Sequence, residues 1–311
     1  MKKRLLCMLC ALSLLFVTGC GKHESTESEP DLTVLATTYP VYLFAKSLTQ
    51  GVDGVEVQRL NTGNISCLHD YTLSVGDMKM IESADLIAMN GVGLETFMED
   101  ALAASEAQVA DLSEGVELLE NLAHHHEEGD EHDHGHYDPH IWLDPAIAAD
   151  MIKNLGKALS AADPAHSPAY AANAVEAVQK LEDGTAAMKE ELSRSALENI
   201  GLITFHDGFQ YFARAFGLEL LAAIEEEAGS EASAKEITEI SGLVEERDIP
   251  VIFTETNGSD ATAQAISRET GCAVSQLNML MSGEGDSIDA YLEGLSGNIT
   301  AIVAGFGADQ G

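Results

Sequence analysis

The sequence predicts an α/β chain of two βα lobes, each built on a mainly parallel sheet, joined by one long rigid connecting helix. Three observations predict this. Short apolar, β-branched runs alternate with stretches of helical periodicity, the grammar of βαβ units and parallel sheets. That alternation occurs twice, once on each side of the chain's middle. Between the two sets, residues 168–194 keep helical spacing without a break. About 27 residues at 1.5 Å each span roughly 40 Å, which is long for an element of one lobe.

Leu32 to Thr37 is apolar and β-branched and reads as a buried strand, broken by Tyr39-Pro40. Val41 to Leu48 has helical spacing, and Gly51 stops it. Val55 to Leu60 is a second strand, followed by an Asn-, Gly- and Ser-rich loop to Tyr71 that holds His69. Ser74 to Ser83 is helical, with Ser74 and Asp77 suited to its first turn. Ala84 to Asn90 is a third strand, Leu94 to Ala104 a helix, and Ala107 to Leu112 a short fourth strand. Pro145 to Ala161 is a helix, and the long helix from Pro168 to Arg194 follows, with Gly184 as its weak point. The βα alternation then restarts. Gly201 to Phe205 is a strand with His206 at its C-terminal end, and Gly208 to Phe216 is a helix closed by Gly217. Leu218 to Ile224 is a strand, and Ser233-Ala-Lys-Glu236 is a capping box opening a helix to Glu246. Ile249 to Thr254 is a buried strand ending at Glu255. Asp260 to Thr270 is a helix, Cys272 to Leu277 the last strand and Asp286 to Ala304 the closing helix. The expected organisation is a signal over 1–19, a tether over 20–31, a first lobe over 32–160, a connecting region over 161–198 and a second lobe over 199–311.

The N-terminus carries the marks of export. Lys2, Lys3 and Arg4 precede an apolar run from Leu5 to Val17 that is too short to span a bilayer well. Val17-Thr-Gly-Cys20 resembles a bacterial lipobox, which makes Cys20 the lipidation site. Residues 21–30 are polar and Ser-rich, suited to a flexible tether. Cys7 and Cys10 leave with the signal, and Cys67 and Cys272 remain, with their pairing open. The formal net charge is -36. That excludes nucleic acid as a partner, since phosphate binding needs Lys and Arg, and suits a cationic ligand.

Seven of the eleven histidines lie between His124 and Pro145. The stretch has two parts. Residues 124–136 are a low-complexity tract of His, Asp, Glu and Gly, with His124, His125, His126, His132, His134 and His136. It reads as an auxiliary loop that binds several ions weakly, because ordering it costs entropy. Asp138-Pro-His-Ile-Trp-Leu-Asp-Pro145 instead sets one histidine, His140, among apolar and turn residues. In open α/β sheets ligands bind beyond the carboxyl ends of the strands. His69, His140 and His206 all fall after strands or in loops. Three neutral imidazoles suit Zn²⁺, leaving a fourth tetrahedral place for a carboxylate or water. Any one of them alone reads more readily as a hydrogen-bonded structural histidine.

Five segments carry a resemblance: Ala36-Thr-Thr-Tyr-Pro40, Leu68-His-Asp-Tyr71, Ala84 through Glu95, Asp138 through Pro145, and Phe205-His-Asp-Gly-Phe-Gln-Tyr-Phe212. Together they resemble the zinc/manganese-type substrate-binding lipoproteins of bacterial ABC transporters, across nearly all of the mature chain. The resemblance implies two lobes joined by a rigid helix, metal held between them, and His69, His140 and His206 as ligands. Manganese members tend to have Glu where His206 stands. Zinc members have His there and often a His/acid-rich loop before Asp-Pro-His, so the resemblance implies Zn²⁺, with Mn²⁺ the alternative. Members usually supply a fourth carboxylate from the loop after the last strand. Here that loop, Leu277 to Asp286, has no acid near Leu280 or Met281. Glu284 or Asp286 reaches in, or water fills the place, or Cys67 serves as a soft ligand. Glu255 matches an acidic position common in the family, as an orienting partner or fourth ligand. Asp207 reads as the cap of the helix that follows it.

The expected function is a lipid-anchored, extracytoplasmic, monomeric receptor that captures Zn²⁺ and delivers it to an ABC permease and its ATPase. Imidazoles bind metal only when deprotonated, so affinity falls as pH drops through about 6.5. A zinc hydrolase is the rival from another class, since three His and a water also make a catalytic site. The sequence has no His-Glu-x-x-His pair and no nucleophile motif, which argues against an enzyme. A zinc-buffering lipoprotein or surface adhesin is the third reading.

Overall fold

The computed structural model describes residues 30–60, 68, 71–121, 136–195, 197, 200–223, 232–256 and 258–307. The first sheet holds β1 (Leu32–Ala36), β2 (Val55–Arg59), β3 (Leu86–Met89) and β4 (Gln108–Asp111), all parallel, in the order β2-β1-β3-β4. Its helices are α1 (Tyr39–Leu48), α2 (Val75–Ser83) and α3 (Glu99–Ala104). Helix α4 (Pro145–Ala162) and the 28-residue α5 (Ser167–Arg194) follow. The second sheet holds β5 (Gly201–Thr204), β6 (Glu219–Ala223), β7 (Val251–Glu255) and β8 (Ala273–Leu277), again all parallel, in the order β6-β5-β7-β8. With it come α6 (Gln210–Phe216), α7 (Ala234–Glu246), α8 (Ala261–Thr270) and α9 (Ile288–Gly307). The two sheets thus repeat one topology, and in each the winding reverses at the central pair.

Strand alternation sorts the core. Leu32, Val34 and Ala36 of β1 face a large shared cluster, while Leu35 faces a smaller one with Ile81, Ile87 and Met98. In the second sheet Leu202, Val251 and Phe253 join the shared cluster, and Ile203 and Ile252 join a second small one with Val244 and Ile266. Period-two packing on both faces is what a parallel sheet covered on both sides requires. The shared cluster is continuous from lobe to lobe. It takes Tyr170, Ala177, Leu181 and Met188 from α5 and Tyr291, Leu295, Ile299 and Ile302 from α9. Helix α5 packs on α1 and α4 and also on α9.

The elements differ from the sequence expectation mainly at their ends. Helix α1 starts two residues early, at Tyr39, because Pro40 fits the first turn, where its missing N–H is not needed. The expected helix from Leu94 splits into a 3₁₀ turn, Thr96–Met98, and α3. Its start is occupied by a left-handed turn, with φ of 88°, 57° and 77° at Gly91, Val92 and Gly93. Helix α6 begins at Gln210 behind Phe209, which makes no side-chain cap, so Asp207 is not the cap of this helix. The two expected caps at Ser74 and Ser233 are both formed, with Asp77 and Glu236 completing the boxes. Helix α5 runs unbroken through Gly184, against which Leu292 of α9 packs. Among the described residues no helix is long and apolar enough to cross a membrane.

Candidate metal centre

In each sheet the crevice of an open α/β fold opens at the C-terminal ends of the central strand pair. In the second sheet those ends carry His206, two residues past β5, and Glu255, the last residue of β7. His206 is 1% exposed and Glu255 4%. The Thr204 hydroxyl donates to the His206 carbonyl at 3.0 Å, fixing the backbone as it leaves the strand. His206 Nδ1 stands 3.2 Å from Glu255 Oε1.

His140 arrives from the other side, just before the 3₁₀ turn Ile141–Leu143. It is 3% exposed. Asp138 holds it twice: Oδ1 accepts the His140 backbone N–H at 2.9 Å and lies 2.7 Å from its Nδ1. A carboxylate oxygen only accepts, so Nδ1 carries the proton of that bond, and in the neutral ring Nε2 is left with a lone pair. Asp138 is itself held by its N–H donating to the Leu119 carbonyl at 2.9 Å, and by Gln210 Nε2 at 3.3 Å. The Leu119 N–H in turn donates to the Tyr211 hydroxyl at 2.9 Å. Burial pushes the Tyr211 phenol up to about 12.

The two imidazoles meet across the cleft. His206 Nε2 lies 3.0 Å from His140 Nε2, and the rings stand at 89°. Two nitrogens each 2.0–2.1 Å from one tetrahedral Zn²⁺ would stand about 3.3 Å apart, so this separation is close to that of a ligand pair. Each ring also has a buried carboxylate at Nδ1, Asp138 for one and Glu255 for the other. Such partners orient metal-ligating histidines and raise their basicity. The residues present therefore fit a borderline-soft divalent cation.

A further relay supports the His140 segment. Asn90, at the end of β3, donates from Nδ2 to the Pro139 carbonyl at 2.9 Å. Glu95 fixes Asn90. Its carboxylate accepts the Asn90 N–H at 2.7 Å, the Gly91 N–H at 3.1 Å and the Thr37 hydroxyl at 2.6 Å. It thereby ties the ends of β1 and β3, the switch point of the first sheet, to the loop that carries His140. Burial raises the Glu95 carboxyl to about 7 despite these three donors.

The other expected residues stand as follows. His69, Cys67, Cys20 and His124, His125, His126, His132 and His134 lie outside the described residues. His136 is exposed, 3.7 Å from Glu120 Oε1. Glu284 and Asp286 are exposed, on a loop whose Gly285 N–H donates to the Tyr39 hydroxyl at 2.9 Å. Cys272 is a buried free cysteine. Among the described residues no group of three or more His, Cys, Asp or Glu side chains is placed to hold a metal. Reading by residue type found His140 and His206 but gave no role to Asp138, Asn90 or Glu95. The Asp-Pro-His spacing was the available signal for Asp138. The other two act through contacts that only the fold creates.

Residues 34–305 match the family described as ZnuA, zinc-uptake complex component A, periplasmic. The chain belongs to the ZnuA family. The matched residues include nearly all of both sheets, α5, His140 and His206. A zinc-binding lipoprotein AdcA of Streptococcus pneumoniae is 28% identical over 310 residues, covering 96% of this chain and 60% of the relative. The chain thus spans well under two thirds of the length of that relative. Among solved structures, a laminin-binding protein (Lmb) of Streptococcus agalactiae, described as a bifunctional protein with adhesin and metal-transporting activity, superposes with a TM-score of 0.74 at 27% identity. It covers 88% of this chain and 99% of its own. The substrate-binding protein FpvC of Pseudomonas aeruginosa in complex with Mn²⁺ superposes with a TM-score of 0.75 at 25% identity, covering 89% and 99%. These likenesses confirm the fold class of two parallel-sheet lobes and a long helix, and the expected resemblance to zinc/manganese-type substrate-binding proteins.

Proposed function

We propose that this chain is the extracytoplasmic receptor of a metal-uptake ABC transporter and that it captures Zn²⁺ in the cleft with His140 and His206, joined by His69. One observation carries the reading. Two imidazole Nε2 atoms, one from each side of the cleft, converge to 3.0 Å, and each ring is backed by a buried carboxylate. Glu255 acts here as the orienting partner of His206. Release to a permease and its ATPase follows from the same geometry, since parting the lobes separates the two ligands. The lipid on Cys20 holds the receptor at the membrane, and the tract 124–136 gathers ions weakly. A monomer suffices, because the cleft lies within one chain. The division into lobes at 32–160 and 199–311, with 161–198 connecting them, belongs to the same reading.

Mn²⁺ remains the second reading, because a solved relative holds that ion. Neutral imidazoles suit zinc better than manganese, which prefers carboxylate and other oxygen ligands. The test is competitive titration of the metal-free mature chain with Zn²⁺ and Mn²⁺, beside His140→Ala and a variant lacking 124–136. One tight zinc site that is lost with His140 and kept without the tract is the expected result. Tight binding lost with the tract instead would make the chain a zinc-collecting lipoprotein. Preference for Mn²⁺ would overturn the zinc assignment.

A further inference from the structure

The second lobe brings one more side chain to the imidazole pair, and it is a thioether. Met279 lies in the turn after β8 and is 4% exposed. A Cβ placed on Gly208 would lie 2.5 Å from Met279 Cε, 2.6 Å from His206 Cδ2 and 3.1 Å from His140 Cε1. All three side chains therefore crowd one small volume, which Gly208, having no Cβ, leaves to them.

The turn is locked in this position. Its Met279 carbonyl accepts the Trp142 Nε1 proton at 2.8 Å, and the Trp142 ring stands edge-on to His140 with centroids 5.2 Å apart. Leu280 has φ of 59°, a conformation that strains a bulky side chain and persists only where its surroundings impose it. They do so: the Leu280 N–H donates to Asn278 Oδ1 at 2.7 Å, and Asn298 of α9 accepts the Asn278 N–H at 2.7 Å and donates to its carbonyl at 2.8 Å. The acids beyond the turn are carried elsewhere, on the exposed loop that Tyr39 holds through Gly285 and that Arg59 holds through the Gly283 carbonyl at 3.4 Å.

We propose that Met279 sets the cation selectivity of the cleft, its thioether facing the ion that His140 and His206 hold. The inference rests on the cleft being the metal site. The described groups placed to face an ion there are two imidazoles, each backed by a carboxylate on its far nitrogen, and a thioether, a soft to borderline set. Such a set favours Zn²⁺ and, above it, cuprous ion, and disfavours Mn²⁺, which is hard and wants oxygen ligands. The cleft is thus also a site for Cu⁺, bound without change of oxidation state.

The test uses the full mature chain, wild type, Met279→Leu and Met279→Glu. Leucine keeps the bulk and removes the sulfur; glutamate supplies a hard, charged oxygen. Each is titrated in competition with a chelator against Zn²⁺, Mn²⁺ and, anaerobically with ascorbate, Cu⁺. Met279→Leu is expected to lose about tenfold or more in Cu⁺ affinity relative to Zn²⁺, and Met279→Glu to gain about tenfold or more for Mn²⁺ relative to Zn²⁺. X-ray absorption of Cu⁺-loaded protein carrying selenomethionine is expected to show a copper–selenium distance, and needs no variant to fold. Equal Cu⁺ affinity in wild type and Met279→Leu, or no copper–selenium scattering, overturns the inference. If His140→Ala changes the binding of none of the three cations, the cleft reading itself fails; if His140→Ala abolishes binding and Met279→Leu leaves selectivity unchanged, only the role of Met279 fails.

Discussion

Asp138 Oδ1 takes both the backbone N–H and the Nδ1 proton of His140, so one carboxylate sets the position of that residue and the tautomer of its ring. Glu255 lies beside the ring of His206, its Oε1 3.2 Å from Nδ1. Removing either partner frees a ring to rotate away from the other. Asp138→Ala and Glu255→Gln are each expected to weaken zinc binding roughly 10–100-fold by competitive titration, the range seen when such partners are lost. Unchanged affinity in both would mean that the carboxylates serve only the fold. Glu95 carries a different prediction. Burial raises its carboxyl from 4.5 to about 7, so the folded chain binds this proton more tightly than the unfolded chain. Its contribution to stability is complete below about pH 4.5 and is lost as pH rises to 7. The difference amounts to roughly 3 kcal/mol between these limits. Melting temperatures of wild type minus Glu95→Gln should therefore fall from pH 4.5 to 7 and stay flat above; a flat difference throughout would contradict the assignment. At this scale the sequence was legible where a polar residue stands among apolar ones, as at His140 and His206. Asp138, Asn90, Glu95 and Met279 were not legible as a group, because their roles arise from contacts between segments far apart in the chain.

Each helix and strand was more legible than any side chain. Periodicity and turn chemistry located all eight described strands, and the capping boxes at Ser74 and Ser233 marked two helix starts that the structure bears out. The 3₁₀ turn Thr96–Met98 escaped because Glu95 turns inward to the Asn90 and Gly91 N–H groups, a local competition that helical spacing does not register. By propensity Gly184 is a weak point of the long helix, yet α5 is continuous there. The glycine is the place where α9 approaches: a Cβ would sit 2.8 Å from Leu292 Cδ2. Helix propensity alone would favour a larger residue by up to about 1 kcal/mol. Packing opposes it, and Gly184→Val is expected to destabilise by about 1–3 kcal/mol through overpacking. Denaturant melts would show this, and a variant of equal or greater stability would show that α9 is free to shift.

Across the whole molecule the two sheets repeat one strand order, and the candidate site lies at the C-terminal ends of both central strand pairs. The lobes are joined behind the cleft as well as by α5. The Tyr291 hydroxyl donates to the Trp142 carbonyl at 2.5 Å, and the Ile288 N–H donates to the Ser47 hydroxyl at 2.7 Å. A cation held by His140 and His206 would bridge the remaining side. The net charge of -36 gives the chain a field that attracts cations. One metal ion joining the lobes through these two rings is the core of the proposed function. A crystal structure of the zinc-loaded mature chain, with anomalous scattering measured at the zinc edge, would locate that ion. The expected result is a peak in the cleft about 2.0–2.1 Å from both His140 Nε2 and His206 Nε2. A peak confined to the tract 124–136, or one touching neither ring, would contradict it.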